Sequence, residues 1–236
     1  MTFWLFRYSE LIKAFTLSSL KVRYKNSVLG FAWSMLNPLL MMAVFLVVFT
    51  VIFPVGKDVK YYPLFLLLGI TFWRFFAVGT ITSLKSIVDK ANIVRKVYFP
   101  REIIVLSTVL AIFIGTLLEF VVFFVIFLLY GVPLQPLIIL FPIFLLIELG
   151  LVFGVGLFLS SLYVKYRDID YIWDVFIQLG FFLSPVFYSV ENIAERAPHI
   201  FGYYIVNPLA GIISGERALI LYGNLPDWRF FIYPLI

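Results

Sequence analysis

The stretch LKVRYKNSVLGFAWSMLNPLL, from Leu20 to Leu40, decides how the rest of this sequence is interpreted. It begins with three cations within five residues, Lys21, Arg23 and Lys25, and then becomes apolar. A basic segment followed directly by a hydrophobic one is typical of a chain that lies along a membrane surface and then enters the bilayer. The stretch therefore predicts a membrane protein with its first span close to the N-terminus.

The composition supports a membrane protein and excludes several other classes. Hydrophobic residues make up 63% of the 236 residues and charged residues only 13%, whereas a soluble domain is about half apolar and a quarter charged. The chain has no cysteine, which excludes a disulfide framework and thiol chemistry. The net charge of +5 is explained by cations concentrated in a few loops, so we expect no nucleic-acid partner.

Hydrophobic stretches predict the number of spans. A helix needs about 20 mostly apolar residues to cross the roughly 30 Å hydrocarbon layer. Five stretches qualify, and a sixth begins near 229 and is truncated at 236; the five are 31–53, 63–84, 103–130, 137–162 and 171–190. We therefore expect an all-α integral membrane protein with six transmembrane helices, forming a single domain over 1–236.

The distribution of cations predicts the orientation. Lysine and arginine cluster in 1–27, in 85–101 and in 163–170, and these segments alternate with connections that contain few cations. Because cytoplasmic loops carry the excess of positive charge, we expect these three segments and the N-terminus in the cytoplasm.

The segment 191–223 then lies outside. It is apolar but is interrupted by Asn207, Pro208 and Gly211. We expect a re-entrant helical hairpin that acts as an outer gate, a form tolerated where protein or water covers the backbone. An interfacial loop with aromatic anchors is the alternative.

The segment 4–27 is expected to form an amphipathic interface helix at the inner membrane surface. Its cations Lys21, Arg23 and Lys25 would contact anionic head groups. Asn37 and Pro38 are expected to act as a helix elbow early in the first span, since proline lacks an N–H and restricts the preceding residue. A solvated basic tail is the alternative for the N-terminal segment.

Several segments together resemble one known family. They are LKVRYKNSVLGFAWSMLNPLLMM near the N-terminus, YFPRE (Tyr98–Glu102), YRDIDYIWDVFIQLGFFLSPVFYSVENI (Tyr166–Ile193) and NPLAGIISGERALILYGNLPDW (Asn207–Trp228). The chain resembles the polysaccharide-export permeases of the bacterial ABC-2 superfamily, which include O-antigen, capsule and teichoic-acid exporters. The resemblance implies a homodimeric permease of the bacterial inner membrane that works with two separate ATP-binding-cassette ATPase subunits.

The energy source is expected on a partner. This sequence contains no G-x-x-x-x-G-K-[ST] phosphate loop, so we expect no cofactor in this chain and place ATP and Mg on the partner ATPase. The cytoplasmic loop 89–102 is amphipathic and contains Pro100, which can end a helix. The resemblance implies that it couples to the ATPase, with contacts from Asp89, Asn92, Arg95, Lys96, Tyr98 and Arg101. An ordinary positively charged inner loop is the alternative.

The cytoplasmic loop at Arg167 and Asp168 contains an Asp-x-Asp pattern, which holds a metal and a sugar nucleotide in glycosyltransferases. As an isolated match it is weak. We favour a helix N-terminus, where Asp168 and Asp170 would lie near the positive end of the helix dipole. We therefore predict no metal site.

Three ionisable residues fall inside predicted spans: Arg74, Glu119 and Glu148. Each costs about 2.5–3.5 kcal/mol at the centre of a membrane helix on insertion scales. We expect them to line a polar path for a hydrophilic cargo, with Arg74 and Glu148 at similar depth and paired. Hydrogen bonding between helices is the alternative.

We therefore expect the permease of an ATP-driven exporter that moves a lipid-linked polysaccharide to the outer face of the inner membrane. An ABC-2 exporter of drugs or small lipids is one alternative. A membrane-embedded glycosyl- or acyltransferase is another, disfavoured because the single histidine, His199, has no clear carboxylate partner in the sequence.

Overall fold

The computed structural model describes residues 7–25, 30, 32–53, 59–190, 193 and 198–227. The regular elements in these ranges are helical; they are α1 (Ser9–Tyr24), α2 (Ala32–Val47), α3 (Tyr62–Asp89), α4 (Ala91–Val94), α5 (Glu102–Leu129), α6 (Phe141–Lys165), α7 (Ile169–Leu183), α8 (Pro198–Ile205) and α9 (Pro208–Arg217). Short π-helical turns, Val48–Ile52 and Ala218–Tyr222, extend α2 and α9, and a 3₁₀ turn, Pro136–Leu140, precedes α6.

Four helical segments in the described ranges are long and apolar enough to cross a membrane. They are Ala32–Ile52, Tyr62–Asp89, Glu102–Leu129 and Pro136–Lys165. These segments correspond to the first four predicted spans, although α3 continues to Asp89, past the predicted end at 84. The prediction of an all-α, multi-pass membrane protein is confirmed.

The fifth predicted span, 171–190, corresponds to the shorter helix α7. Its 15 residues extend about 22 Å at 1.5 Å per residue, which is less than the roughly 30 Å hydrocarbon layer. The helix ends at Leu183, because Pro185 cannot donate a backbone hydrogen bond and disfavours a helical Ser184. The sixth predicted span, from 229, lies outside the described residues, so the count of six stays a prediction.

The first span runs through its proline. Pro38 lies inside α2, which continues to Val47. A proline here cannot donate to the carbonyl four residues earlier, so the helix lacks one bond at this point. The role of Asn37 and Pro38 as an elbow stays a prediction.

The first of two compact units contains the described residues of Met1–Ser34, Arg74–Leu118 and Leu149–Gln178. Small residues bring α3 and α6 close together here. An added Cβ at Gly156 would lie 2.8 Å from the Cβ of Ser83, and one at Gly79 would meet the side chain of Val152. Glycines at such positions allow helix backbones to approach closely.

Within the same unit, an ion pair and a hydrogen bond connect the start of α7 to α3. Lys85 Nζ lies 2.7 Å from Asp170 Oδ2, and Trp173 Nε1 donates to Thr80 Oγ1 at 3.0 Å. Asp170 lies in the first turn of α7, where a negative charge is favourable. The structure thus places the second aspartate of the Asp-x-Asp pattern at a helix N-terminus.

The second unit contains the described residues of Met35–Trp73, Glu119–Glu148 and Leu179–Ile236. Its core is rich in phenylalanine: the ring of Phe120 lies 5.1 Å from that of Phe72 and 5.0 Å from that of Phe141, centroid to centroid. A second stack joins Phe49 and Phe187 at 4.6 Å. Edge-to-face and stacked pairs of this kind favour defined packing beyond their apolar area.

Candidate functional site

The loop between α3 and α5, residues 89–102, presents a mixed apolar and charged tip. It contains α4, a single helical turn. Val97 is 57% exposed and Tyr98 is fully exposed. The structure exposes every residue that the sequence predicts for ATPase contact, namely Asp89, Asn92, Arg95, Lys96, Tyr98 and Arg101. Exposed apolar side chains beside charges are typical of a surface that binds another protein.

The base of this loop is packed against α1. Phe99 is buried in a cluster with Ile103 and Ile104. Apolar side chains of α4, of α1 and of the residue that precedes α1 cover this cluster, namely Tyr8, Leu11, Ile12, Phe15 and Val94. The rings of Phe15 and Phe99 lie 5.7 Å apart, centroid to centroid. The apolar face of α1 thus covers the base of the loop that is predicted to contact the ATPase.

Lys90 adds a polar connection between the same two elements. Its Nζ donates to Ser19 Oγ at 3.2 Å and lies 4.9 Å from the centroid of the Phe15 ring. A cation over an aromatic face is attracted to it. Phe99, Phe15 and Lys90 thus connect the loop to α1, and the sequence analysis singled out none of the three for coupling.

The three ionisable residues inside predicted spans fall in different units. Arg74 is half-buried in the first unit, whereas Glu119 and Glu148 are buried in the second. Glu148 lies close enough to Glu216 for their charges to interact. The pairing of Arg74 with Glu148 and the polar path stay predictions.

Arg217 is a buried cation that the sequence analysis did not single out. It is only 3% exposed, and its Nε and Nη2 donate to the carbonyl oxygen of Phe65 at 3.1 Å and 2.8 Å. Nη2 also donates to the carbonyl of Val186 at 2.7 Å, and Nη1 donates to that of Pro185. Arg217 therefore joins the end of α9 to the beginning of α3 and to the turn after α7.

The guanidinium of Arg217 is also stacked. Its Cζ lies 3.4 Å from the centroid of the Phe65 ring, a geometry in which the planar guanidinium gains both stacking and cation–π attraction. The sequence signal was the pair Glu216-Arg217 inside the apolar run IISGERALIL. That run was assigned to the outer segment, so its charges were not counted with those in the spans.

Glu148 and Glu216 form a pair of buried carboxyls in the second unit. Both are 0% exposed, and their carboxyl oxygens accept no hydrogen bond from any described residue. Buried carboxylates are costly unless they are paired or neutralised.

The outer segment contains two short helices with a defined break. Asn207 caps α9: its Oδ1 accepts from the backbone N–H of Leu209 at 3.0 Å, and its Nδ2 donates to Ser184 Oγ at 3.1 Å. Pro208 begins α9, where a missing N–H carries no cost. Gly211 is buried within α9. The break at Asn207 agrees with the predicted interruption; residues 191–192 and 194–197 of the predicted gate lie outside the described ranges, and its re-entrant course stays a prediction.

The remaining predicted site residues lie on exposed surfaces of the first unit. Lys21 and Arg23 of α1 are exposed, as are Lys25, Arg167 and Asp168. The guanidinium of Arg167 lies 4.8 Å from the centroid of the Tyr163 ring. In the part of the chain that the structure describes, no three acidic or histidine side chains are grouped as metal ligands.

Comparisons with known proteins match nearly the whole chain. A family model described as "ABC-2 type transporter" matches residues 10–221. Two relatives from Klebsiella pneumoniae, each named "O-antigen export system permease protein RfbA", are 33% identical over 217 residues, covering 92% of this chain and 82% of the relative. A relative of the same name from Myxococcus xanthus is 28% identical over 223 residues, covering 94% of this chain and 85% of its own length.

Proposed function

Because the chain belongs to the ABC-2 type transporter family, we propose that it is the membrane-spanning permease of a bacterial ATP-driven exporter of lipid-linked polysaccharide. The cargo would move from the cytoplasmic to the outer face of the inner membrane. The family and the permease relatives identify a transporter subunit rather than an enzyme. The names of those relatives favour O-antigen-like polysaccharide over the drugs or small lipids that other ABC-2 exporters move.

The observation that carries the mechanism is the loop 89–102. Its exposed tip suits contact with a partner, and its buried base is continuous with α1. An ATPase that moves the tip would therefore move α1 as well. We propose that α1 lies at the inner membrane surface, where Lys21, Arg23 and Lys25 contact anionic head groups.

The proposed assembly contains two copies of this chain and two ATP-binding-cassette subunits. ATP and Mg would be bound by the ATPase subunits, and this chain would supply the path. Arg74, Glu119 and Glu148 are proposed to form polar parts of that path, and the buried carboxyls of Glu148 and Glu216 support a polar interior in the second unit.

The proposed topology has six spans and a cytoplasmic N-terminus. The four long helices supply the first four spans, α7 contributes to the fifth, and the segment from 229 begins the sixth. Helices α8 and α9 would form the outer gate, since their break at Asn207 is capped and α9 is buried.

Co-purification with the ATPase tests this function. The full chain is expressed with candidate ATP-binding-cassette subunits from the same genome, and ATP hydrolysis by the purified complex is measured with and without lipid-linked glycan. We expect a stable complex whose hydrolysis is stimulated by the glycan. A complex stimulated only by drugs or simple phospholipids would contradict the proposed cargo, and the lack of any complex would contradict the proposed assembly.

A further inference from the structure

A cavity of about 540 Å³ lies within the first unit, bordered by α1, α3 and α5. Its volume falls in the range of small-molecule binding sites. Each helix contributes one face; the lining residues are Ser18, Ser19, Val22, Arg23, Val78, Thr82, Ser86, Asp89, Lys90, Thr108, Ala111 and Ile112. The hydrogen bond between Lys90 and Ser19 borders this cavity and does not fill it.

The cavity changes from charged to apolar along its length. Asp89 and Lys90 lie at one end, where α3 ends, and Arg23 follows one helical turn after Ser19, to which Lys90 donates. Val78 lies eleven residues earlier on α3, which is about 16 Å away at 1.5 Å per residue. Ala111 and Ile112, both buried, complete the apolar end. An amphiphile with a polar head and a hydrocarbon tail matches this gradient.

The hydroxyl groups between the two ends act as acceptors. Thr82 Oγ1 donates to the carbonyl of Val78 at 2.7 Å, Ser86 Oγ to that of Ser83 at 2.7 Å, and Thr108 Oγ1 to that of Ile104 at 2.8 Å. Each hydroxyl has one proton, so only oxygen lone pairs remain for a ligand. These three hydroxyls therefore favour a ligand that brings its own donors.

The charged end contains both signs. Arg23 and Lys90 are donors suited to a phosphate, and Asp89 is an acceptor suited to an ammonium group. Burial lowers the pKa of Lys90, and the neighbouring Asp89 opposes this effect. A phosphate in the cavity would favour the charged form of Lys90. An ammonium group would in addition find an acceptor in the Asp89 carboxylate, which a purely anionic head group would not use.

We propose that this cavity binds one phospholipid with a zwitterionic phosphate-ammonium head group from the adjacent leaflet. The phosphate lies between Arg23 and Lys90, the ammonium lies beside Asp89 and the hydroxyl oxygens, and the glycerol and upper acyl chain extend toward Ala111 and Ile112. The bound lipid fills the space beneath α1 and holds that helix against α3 and α5. This site is independent of the identity of the exported cargo.

Native mass spectrometry of the purified full chain tests the site. The protein is placed in detergent micelles that contain equal amounts of dioleoyl phosphatidylethanolamine and dioleoyl phosphatidylglycerol, and the retained lipid is identified. We expect one molecule of phosphatidylethanolamine per chain. The preference for phosphatidylethanolamine over phosphatidylglycerol should fall about tenfold in Asp89→Asn, because this variant loses a hydrogen bond to a charged group. A tenfold change corresponds to about 1.4 kcal/mol.

The controls separate this site from general charge effects. The double variant Arg23→Gln, Lys90→Gln should retain less of both lipids, whereas Lys13→Gln should behave as wild type, because Lys13 is exposed on α1, pairs with Glu10 and does not line the cavity. Asp89 and Arg23 are also exposed, so their replacement should not prevent folding.

Three results would overturn the proposal: equal or greater retention of phosphatidylglycerol by wild type, an unchanged preference in Asp89→Asn, or displacement of phosphatidylethanolamine by a polyprenyl pyrophosphate at lower concentration. The last result would assign the cavity to the cargo and would leave the proposed function intact. None of these measurements depends on transport.

Discussion

At the scale of single residues, Arg217 joins three parts of the second unit. One side chain donates to the carbonyls of Phe65, Pro185 and Val186, which belong to the start of α3 and to the turn after α7. Hydrogen bonds to charged groups contribute about 1.5–3 kcal/mol each, and buried carbonyls left without donors are costly. This one guanidinium group thus connects α9 to the start of α3 and to the turn after α7.

Gly69→Ala should disturb this arrangement without removing any polar group. An added Cβ would meet Arg217 Nη2 and would lie 2.7 Å from the carbonyl oxygen of Val186. Overpacking of this kind costs about 1–3 kcal/mol, so we expect a lower midpoint of thermal unfolding in detergent. Gly202→Ala is the matched control, because a Cβ there meets nothing within 4 Å. Equal midpoints for the two variants would show that Gly69 is not constrained by Arg217.

The predicted pair of Arg74 and Glu148 can be examined by a double-mutant cycle. If the two side chains offset each other's charge in the membrane, Arg74→Leu and Glu148→Leu should each damage export more than the double variant does, because each single change leaves one charge unpaired. Export is measured as glycan that reaches the outer surface. Simple additivity of the two single effects would contradict the pairing.

At the scale of elements, α1 and the loop 89–102 pack against each other. Phe99 is the buried centre of their contact, and Phe15 and Lys90 complete it. Because the loop tip is exposed while its base is buried against α1, the proposed coupling predicts that a force at the tip acts on α1 as well as on the loop.

Phe99→Ala should loosen α1. Removing a buried phenylalanine side chain costs about 3–5 kcal/mol in a packed core, and here the lost contacts lie between α1 and the loop. Hydrogen–deuterium exchange should become faster across Ser9–Tyr24. Phe99→Leu should retain most of the protection, and Phe158→Ala, which removes a ring that is 63% exposed, should leave it unchanged. Unaltered exchange in Phe99→Ala would show that the contact does not hold α1.

The sequence predicts elements better than it predicts contacts. Length and hydropathy were sufficient for the first four long helices, because twenty apolar residues in a row are specific for a membrane span. The end of α7 was placed too late, because Phe181, Phe182 and Phe187 continue the hydrophobic run past the break at Ser184-Pro185.

Because the sequence predicts contacts poorly, it also singled out some candidate site residues and not others. The exposed residues of the loop, such as Arg95 and Tyr98, were singled out from the resemblance to a known family, and their contact with an ATPase stays a prediction. Phe99 and Arg217 were missed because their roles depend on partners distant in sequence: Phe15 for the first and Phe65 for the second. Periodicity along one segment carries no information about such pairs.

At the scale of the whole molecule, the topology determines which surfaces the proposed ATPase and the proposed cargo could reach. The loops at 85–101 and 163–170 hold the cations that favour the cytoplasmic side. The connection between α5 and α6 and the segment after α9 are expected on the opposite side.

Single cysteines can report this topology directly, since the chain contains no cysteine of its own. The exposed residues Lys96, Asp168, Leu134 and Asn224 are replaced one at a time. An impermeant thiol reagent added to intact cells, with access across the outer membrane, should label Leu134→Cys and Asn224→Cys. Lys96→Cys and Asp168→Cys should be labelled only in inverted vesicles. Labelling of positions 134 and 224 from opposite sides would contradict the proposed gate.

The most direct test of the account is the amount of glycan exported per ATP hydrolysed when the loop is broken. The double variant Asn92→Pro, Val94→Pro places prolines in α4, where each lacks a backbone donor. In proteoliposomes that contain the permease and its ATPase, we expect hydrolysis to continue and export per ATP to fall to background, with membrane insertion unchanged. Unchanged export per ATP in this variant would contradict the claim that the loop 89–102 transmits ATPase motion to the permease.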